Sequence, residues 1–390
     1  MYHLKTFCWG SLAMRCFWFF LSFLFVVTDV YAESAECTEH QCMAVVDAGS
    51  TGSRAHIFAY DLDETNTPSQ IHEIWSKKIK PGLATIEANQ DTIDAYLTIL
   101  FSGAPKQNIP VYFYATGGMR LIPQTKQKLY YKEIQNWFNQ QSIWQLIEAK
   151  TITGNDEALY DWLAVNYHIG TLKSSTTEPI GVMDIGGASV QIAFPIPKDV
   201  ETNKSSQVEL DLYGKHLNLF VHSFLGLGQN EVTHQLLDTN SCFSEGYPLP
   251  GGNLGQGDAV ICQQEVSSLI NRVHKVQSEV QPTLATNRIT MWYAIGGLTN
   301  LVESEPFQFQ NNQITNQDLL QQANSLICHQ QWEGLSTQFP DNEYIESFCL
   351  LPAFYYALMI DGYGISVTQP VKYISPRENL DWTTGVVLHH

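Results

Sequence analysis

Met43-Ala-Val-Val-Asp47-Ala-Gly-Ser-Thr-Gly-Ser-Arg54-Ala-His-Ile-Phe-Ala-Tyr60 is the stretch on which the fold turns. An apolar run closes on Asp47, a turn of small residues follows, and a second run of strand formers leads away, which reads as a hairpin. The plan recurs in Ile180-Gly-Val-Met-Asp184, Ile185-Gly-Gly-Ala-Ser189 and Val190-Gln-Ile-Ala-Phe194. Two copies about one domain's length apart indicate an internal duplication. Between them Val111–Ala115 reads as a strand, Lys126–Gln140 as a helix, Ala149–Thr153 as a strand and Asp156–Tyr167 as a helix. That alternation predicts an α/β architecture.

The repeated turn has a chemical reading. A phosphate needs several N–H donors converging from one side, and only small side chains let a backbone loop come that close. Gly49, Ser50, Thr51, Gly52 and Ser53 qualify in the first copy, and Gly186, Gly187, Ala188 and Ser189 in the second. Asp47 and Asp184, at the strand ends feeding these turns, are placed to hold a hydrated divalent cation, since Mg2+ takes a few carboxylates, waters and substrate phosphates. One Asp-x-Gly hairpin is commonplace, whereas two facing one cleft are specific. A third loop, Tyr114-Ala-Thr116-Gly117-Gly118-Met-Arg120, follows a strand and can line the same cleft. A fourth, Trp292-Tyr-Ala-Ile-Gly296-Gly297-Leu-Thr-Asn300, runs from a strand into a helix start and can border a nucleoside.

The candidate base lies in Ile152-Thr-Gly154-Asn155-Asp156-Glu157. Asn155 or Asp156 is expected to cap the helix, placing Glu157 in its first turn. There the macrodipole should depress its pKa and leave it ionised to orient or deprotonate a water.

Composition narrows the function further. Charged residues are 15% of the 390, against about 25% in ordinary globular chains, while 44% are hydrophobic and 12% aromatic, which excludes a disordered chain. The net charge of −18 argues against a nucleic-acid partner, whose phosphates would need clustered Lys and Arg. Residues 1–32 read as a cleavable signal peptide: Lys5 and Arg15, an apolar run from Cys16 to Val27, and Val30-Tyr31-Ala32. No stable membrane insertion is expected after cleavage. The remaining cysteines, Cys37, Cys42, Cys242, Cys262, Cys328 and Cys349, are an even set suited to an oxidising compartment, secreted or periplasmic. Short separations favour the pairs Cys37–Cys42, Cys242–Cys262 and Cys328–Cys349. Asn203-Lys-Ser205 is a glycosylation acceptor pattern.

Five blocks, Asp47 to Arg54, Ala115 to Arg120, Gly154 to Tyr167, Asp184 to Gln191 and Pro352 to Ala357, resemble in order the apyrase regions of the ecto-nucleoside triphosphate diphosphohydrolases. Asp381-Trp382-Thr-Thr-Gly385 is similar to the Trp-x-x-Gly segment that closes that family's first domain. The chain departs from the pattern in Glu157-Ala-Leu-Tyr-Asp161, where the family usually reads Glu-Gly-x-Tyr-Gly, and at Gly118, where it usually has Ala. The resemblance implies two actin-like (RNase H-like) lobes with a nucleotide cleft between them: residues 33–165 as the first, completed by 366–390, and 166–365 as the second. It implies Mg2+- or Ca2+-dependent release of terminal phosphates from nucleoside tri- and diphosphates such as ATP, ADP, GTP and UTP, stopping at the monophosphate. By matching positions Glu157 is the general base, Asp47 and Asp184 position the metal through water, and Ser50 to Arg54, Thr116 and Gly186 to Gln191 hold phosphates. Gly49, Gly117 and Arg120 are added from the cleft reading. Vertebrate members carry two membrane spans; without a C-terminal one this chain resembles a soluble, secreted, monomeric member.

Rival readings are an exopolyphosphatase and a nucleotide switch of the actin or Hsp70 kind, because both share the duplicated turn. The base is expected near Gly296-Gly297, held by Asn300, Tyr344 or Trp382, an aromatic face being the simplest support for a flat ring.

Overall fold

The structure, a computed structural model, describes residues 35–174, 180–198, 200 and 204–390; the expected signal peptide, residues 1–32, and the expected acceptor Asn203 lie outside them. The apolar run before Asp47 is strand β1 (Gln41–Ala48), and the run after the turn is β2 (Ser53–Leu62). They pair antiparallel, with Asp47 opposite Arg54 and Ala48 opposite Ser53. β3 (Pro68–Ile79) continues the meander, and β4 (Ile109–Ala115) and β5 (Trp144–Thr151) add in parallel beyond β1. The resulting order is β3-β2-β1-β4-β5.

The second half repeats the plan with β6 (Ile180–Ile185), β7 (Ser189–Pro195), β9 (Lys215–Leu225), β10 (Met291–Gly296) and β12 (Val371–Tyr373). β8 (Gln207–Leu212) and β11 (Gln313–Ile314) are added at the edges, giving β11-β12-β10-β6-β7-β9-β8. Asp184 faces Gln191 across the β6–β7 hairpin as Asp47 faces Arg54 in the first copy. The duplication inferred from two turns is therefore a duplication of whole sheets.

Helices are α1 (Gln90–Leu100), α2 (Gly117–Arg120), α3 (Gln124–Gln140), α4 (Gly154–His168), α5 (Gln229–Gln235), α6 (Ala259–Ser268), α7 (Val276–Leu284), α8 (Gly297–Val302), α9 (Asn316–Ala323), α10 (Trp332–Gln338), α11 (Leu350–Ala357) and α12 (Thr383–His389). Side chains alternate across a strand. Ala44, Val46 and Ile57 accordingly pack on α1 and α3 through Leu97, Ile134 and Trp137, while Met43, Val45 and Phe58 face the other way. There they meet Trp162 and Leu163 of α4 and Val386 and Leu388 of α12, together with Val182, Ala193 and Val221 of the second sheet. The outer face of that sheet carries the largest core, built on α6, α9 and α11. Helix α4 is buried along its whole middle, Glu157 to Asn166, as expected of a helix enclosed on all sides.

This layering corrects the expected domain limits. A boundary at 165/166 would cut α4, which packs against β6, β7 and β9 of the second sheet. The segment 366–390 does not belong to the first lobe as a whole. Its β12 pairs in parallel with β10, where the ladder hydrogen bonds hold it, and only the later part, Asn379, Asp381 and α12, leans on β1, β2 and β3. The disulfides pair as expected, Cys37–Cys42, Cys242–Cys262 and Cys328–Cys349. The four cysteines of the second lobe are wholly buried.

Candidate active site

Each small-residue turn hangs between two strands that the sheet fixes, so the two turns are held opposite one another by the lobes themselves. A Cβ on Gly118 would stand 2.7 Å from the Cα of Ser50, and one on Gly187 would collide with Ser50 Oγ. The first turn, the Thr116 loop and the second turn thus meet around Ser50, from both lobes. The departure at Gly118 has a physical reason: with Ser50 this close, alanine has no room.

Glu157 occupies the floor. Its helix is capped by Thr153, whose Oγ1 accepts from Asp156 N–H while Asp156 returns a bond to Thr153 N–H, a capping box. The expected caps, Asn155 and Asp156, are therefore the second and third residues inside, after Gly154. Glu157 sits in the first turn as expected but is only 5% exposed, and burial raises its pKa above the ordinary carboxylate range although Arg120 opposes the shift. The expected depression by the helix dipole is outweighed, because removing a carboxylate from water penalises its charge more than one helix terminus favours it. Arg120 Nη2 donates to Glu157 Oε2 at 2.6 Å and to Ser189 Oγ at 2.9 Å. Gln191 Nε2 reaches the same Oε2 at 3.1 Å, Ser189 Oγ at 2.8 Å and Ser223 Oγ at 3.1 Å. Both residues grip Oε2, which leaves Oε1 without a hydrogen bond among the described residues.

A ring of acids surrounds this point. Burial, then Asp381 and Glu157, push Asp47 up to about 8. Burial and Glu157 push Asp184 up to about 7. Asp161, one helical turn beyond Glu157 on α4, is 1% exposed and is raised well above the carboxylate range by burial and by Asp184. Asp381 behaves oppositely. Although partly withdrawn from water, it is held at about 2 by His56, whose Nε2 lies 2.9 Å away. His56 Nδ1 meets Glu73 at 2.5 Å, and these two acids keep the buried ring charged, at about 9.

Asp47 Oδ1, both carboxylate oxygens of Asp161, and Arg120 Nε and Nη1 are buried without a hydrogen-bond partner. Orphaned polar atoms of both signs at one place indicate a polar ligand that satisfies them. The acids suit a divalent cation and the Arg120 donors suit a phosphate. Among the described residues no three His, Cys, Asp or Glu side chains converge to ligate an ion directly.

The remaining expected residues divide. Gly49, Ser50, Thr51, Gly52, Thr116, Gly117, Arg120, Gly186, Gly187, Ala188, Ser189 and Gln191 belong to the loops that meet in the cleft. Ser53 turns inward, accepting from the Tyr96 hydroxyl at 2.9 Å. Arg54 is engaged with Asn379 at 2.6 Å and stands 4.0 Å from Asp381, tying β2 to the C-terminal segment. Trp382 is not in the cleft: it is 4% exposed, stacked between Tyr114 and Tyr160, since its large apolar ring is better placed in the inter-sheet core. Asn300 and Tyr344 do share a cavity, about 610 Å³, with Thr51, Gln229, Gly297 and Phe348. Sequence reasoning missed Lys78 and Lys80, which line that cavity from the first lobe, and Asp161, His56 and Asp381. The one available signal was an acidic residue, Asp161, four positions after Glu157 and within the run Ala158 to Val165, which is otherwise without a charged residue. The fifth block acts at one remove: the buried Tyr355 of α11 donates to Gln229, which stands against Gly297.

Comparison with known proteins agrees with this geometry. The nucleoside triphosphate hydrolase of Neospora caninum superposes with a TM-score of 0.63 over 90% of this chain and 92% of its own, at 14% identity. The Aquifex aeolicus member of the Ppx/GppA protein family gives 0.55 over 89% and 96%, also at 14% identity. In sequence, the chain is 27% identical to Nucleoside-triphosphatase ntp-1 of Caenorhabditis elegans, over 89% of this chain and 72% of that protein. It is 26% identical to Nucleoside-diphosphatase mig-23 of the same animal, over 91% and 78%. Mouse ectonucleoside triphosphate diphosphohydrolase 1 is 24% identical over 88% and 80%. The profile of one family spans residues 33–245 and 254–390, nearly all of the described molecule. The chain belongs to the GDA1/CD39 (nucleoside phosphatase) family.

Proposed function

We propose that the protein hydrolyses nucleoside tri- and diphosphates to monophosphates, with Glu157 as general base. The observation that carries this is a buried, partly neutralised carboxylate, Glu157, set between two backbone turns and braced on one oxygen by Arg120 and Gln191. In this reading a water held at Oε1 attacks the terminal phosphorus in line, its proton passes to Glu157, and the bridging oxygen leaves with the bonding pair. The turns around Ser50 and Gly187 supply N–H donors to the phosphoryl oxygens. Arg120, with two nitrogens unsatisfied, shifts part of its charge onto the phosphate and so frees Glu157 to accept the proton. Asp47 and Asp184 would hold Mg2+ or Ca2+ through water, and such an ion when bound neutralises the polyphosphate charge and polarises the leaving oxygen. The base would lie in the cavity of Asn300 and Tyr344.

Relatives named for triphosphatase and for diphosphatase activity support both substrates. The disulfides support an exported protein working outside the reducing cytosol, and because one chain supplies both walls of the cleft, a monomer suffices. The test is phosphate release from ATP, ADP and polyphosphate, with divalent ions and with EDTA. Linear release from both nucleotides that stops at AMP and is lost reversibly in EDTA is expected. Release from polyphosphate alone would instead favour the exopolyphosphatase reading, and binding without turnover the switch.

A further inference from the structure

Gln127 has no part in the reaction just described, yet it stands at the join between the two arms that bring Arg120 and Glu157 together. Arg120 closes α2, a single turn that follows β4, and Glu157 lies in the first turn of α4, which follows the neighbouring strand β5. A lone turn does not sustain itself, because it fixes several residues for very few hydrogen bonds. Its end is held from α3 instead. Gln127 Nε2 donates to the carbonyl of Met119 at 3.1 Å and to that of Ile122 at 2.9 Å. The amide oxygen of Gln127 turns the other way and accepts from Oγ1 of Thr151, the last residue of β5, at 2.6 Å. Thr151 has one hydroxyl proton and gives it to Gln127, so in its 2.5 Å contact with the Tyr131 hydroxyl the tyrosine is the donor. Tyr131 lies four residues beyond Gln127 on the same face of α3, and burial raises its pKa, which keeps it a donor at neutral pH.

We infer that Gln127, locked by Thr151 and Tyr131, is a positioning residue that fixes the reach of Arg120 to Glu157. The inference rests on the proposed function for the roles of Arg120 and Glu157 and goes beyond it in saying what holds them. The tolerance is small. Arg120 Nη2 is 2.6 Å from Glu157 Oε2, and a Cβ on Gly154 would stand 2.9 Å from Arg120 Nη1, so the guanidinium lies close against the start of α4. The strands set the coarse separation of the two arms: Ala115 pairs with Thr151, and Ile152 N–H donates to the Ala115 carbonyl at 3.0 Å. Gln127 ties them a second time, with one end on the turn that carries Arg120 and the other on the strand end that leads to Glu157. A chain of hydroxyls that each polarise the next is stronger than the same bonds taken singly. With the chain cut, α2 is free to shift and the guanidinium to retreat from Oε2. A misplacement of about 1 Å can cost on the order of 10²-fold in rate.

The test compares Gln127→Ala, Thr151→Val and Thr151→Ser by ATP hydrolysis across pH, each also in an Arg120→Ala background, with the unfolding temperature measured alongside. Gln127→Ala and Thr151→Val should lower kcat about tenfold, within what a misplaced group costs, and move its acid limb to higher pH, because a guanidinium held farther off opposes the protonation of Glu157 less. The acids that face Glu157 from the other elements and from its own helix, Asp47, Asp184 and Asp161, are the same in every variant, so the moved limb reports Arg120. Thr151→Ser keeps the hydroxyl and should stay near wild type. With Arg120 already removed, Gln127→Ala and Thr151→Val should change kcat by less than about twofold, since nothing is left for them to position. A role confined to packing would lower the unfolding temperature, leave the limb unmoved and cost as much with Arg120 absent as with it present. That result would overturn the positioning role and leave the wild type's hydrolysis, and with it the proposed function, intact. Thr151→Val decides alone where Gln127→Ala fails to fold. Failure of the wild type to release phosphate from ATP or ADP would overturn the proposed function and this inference with it.

Discussion

Glu157 is under two opposed influences. Burial raises its pKa, and Arg120, through its charge and its hydrogen bond, pulls it back. A general base works only when deprotonated, so activity should fall as the pH drops through this raised value, at higher pH than an ordinary carboxylate would dictate. Removing Arg120 removes the opposing charge, so Arg120→Ala should move the acid limb of kcat further toward alkaline pH, as a pH–rate profile would show. An unmoved limb would mean that another group sets it. Glu157→Gln should keep nucleotide affinity, since the amide preserves shape, and lose on the order of 10²- to 10⁴-fold in turnover, the usual worth of a positioned acid–base group. Near-normal turnover in that variant would remove Glu157 from the chemistry.

At the level of elements, the cleft is a matter of how closely loops approach. Gly118 is the second residue of α2, and a methyl group there meets the backbone of Ser50 at 2.7 Å, which cannot swing aside as a side-chain tip can. Gly118→Ala should therefore displace the first phosphate turn and raise KM for ATP by roughly tenfold or more, the order expected when about 1–3 kcal/mol of overpacking is relieved by moving the loop. The same KM as wild type would show that the turn is not held where the phosphates bind. Farther along the cleft, Tyr344 is half exposed on the rim of the Asn300 cavity. If a base stacks on it, Tyr344→Ala should raise KM for nucleotides of every base by about ten- to a hundredfold, the factor that 1–3 kcal/mol of stacking implies, and leave tripolyphosphate hydrolysis unchanged. Equal damage to both substrates would place the base elsewhere.

On the scale of the whole molecule, the chain is stitched across its own ends. Arg54 and His56 of β2 and Glu73 of β3 bind Asn379 and Asp381 just before α12, so the last residues complete the layer between the sheets. His56 is nearly inaccessible and holds both acids at once. Its folded pKa of about 9 lies above its unfolded value, so its stabilisation is fully present below about pH 6.5 and is lost as the pH rises through 9. Asp381, depressed to about 2, contributes above its unfolded pKa near 4 and loses that contribution as the pH falls through 2. His56→Gln should cost about 1–3 kcal/mol at neutral pH, the cost of leaving two partly exposed acids without their cation. Denaturant titration at pH 7 and pH 10 should show the gap between wild type and variant narrowing at the higher pH. A constant gap would mean that the ring's charge is not what holds the segment.

The sequence by itself determined the two hairpins, their aspartates, the disulfide pairing and the place of Glu157 in a first helical turn. These follow from local rules: alternation of side chains, the space a turn needs, the entropy of closing a short loop. Tertiary structure alone decided the rest. Trp382 was legible as an aromatic near a glycine but not as a core residue, because only the packing of two sheets encloses it between Tyr114 and Tyr160. The rise rather than fall in the pKa of Glu157, and the isolation of Asp161, depend on water being excluded from α4 by sheets that meet there from distant parts of the chain. Burial is a sum over contacts remote in sequence, and no spacing of residues along one strand or helix records it.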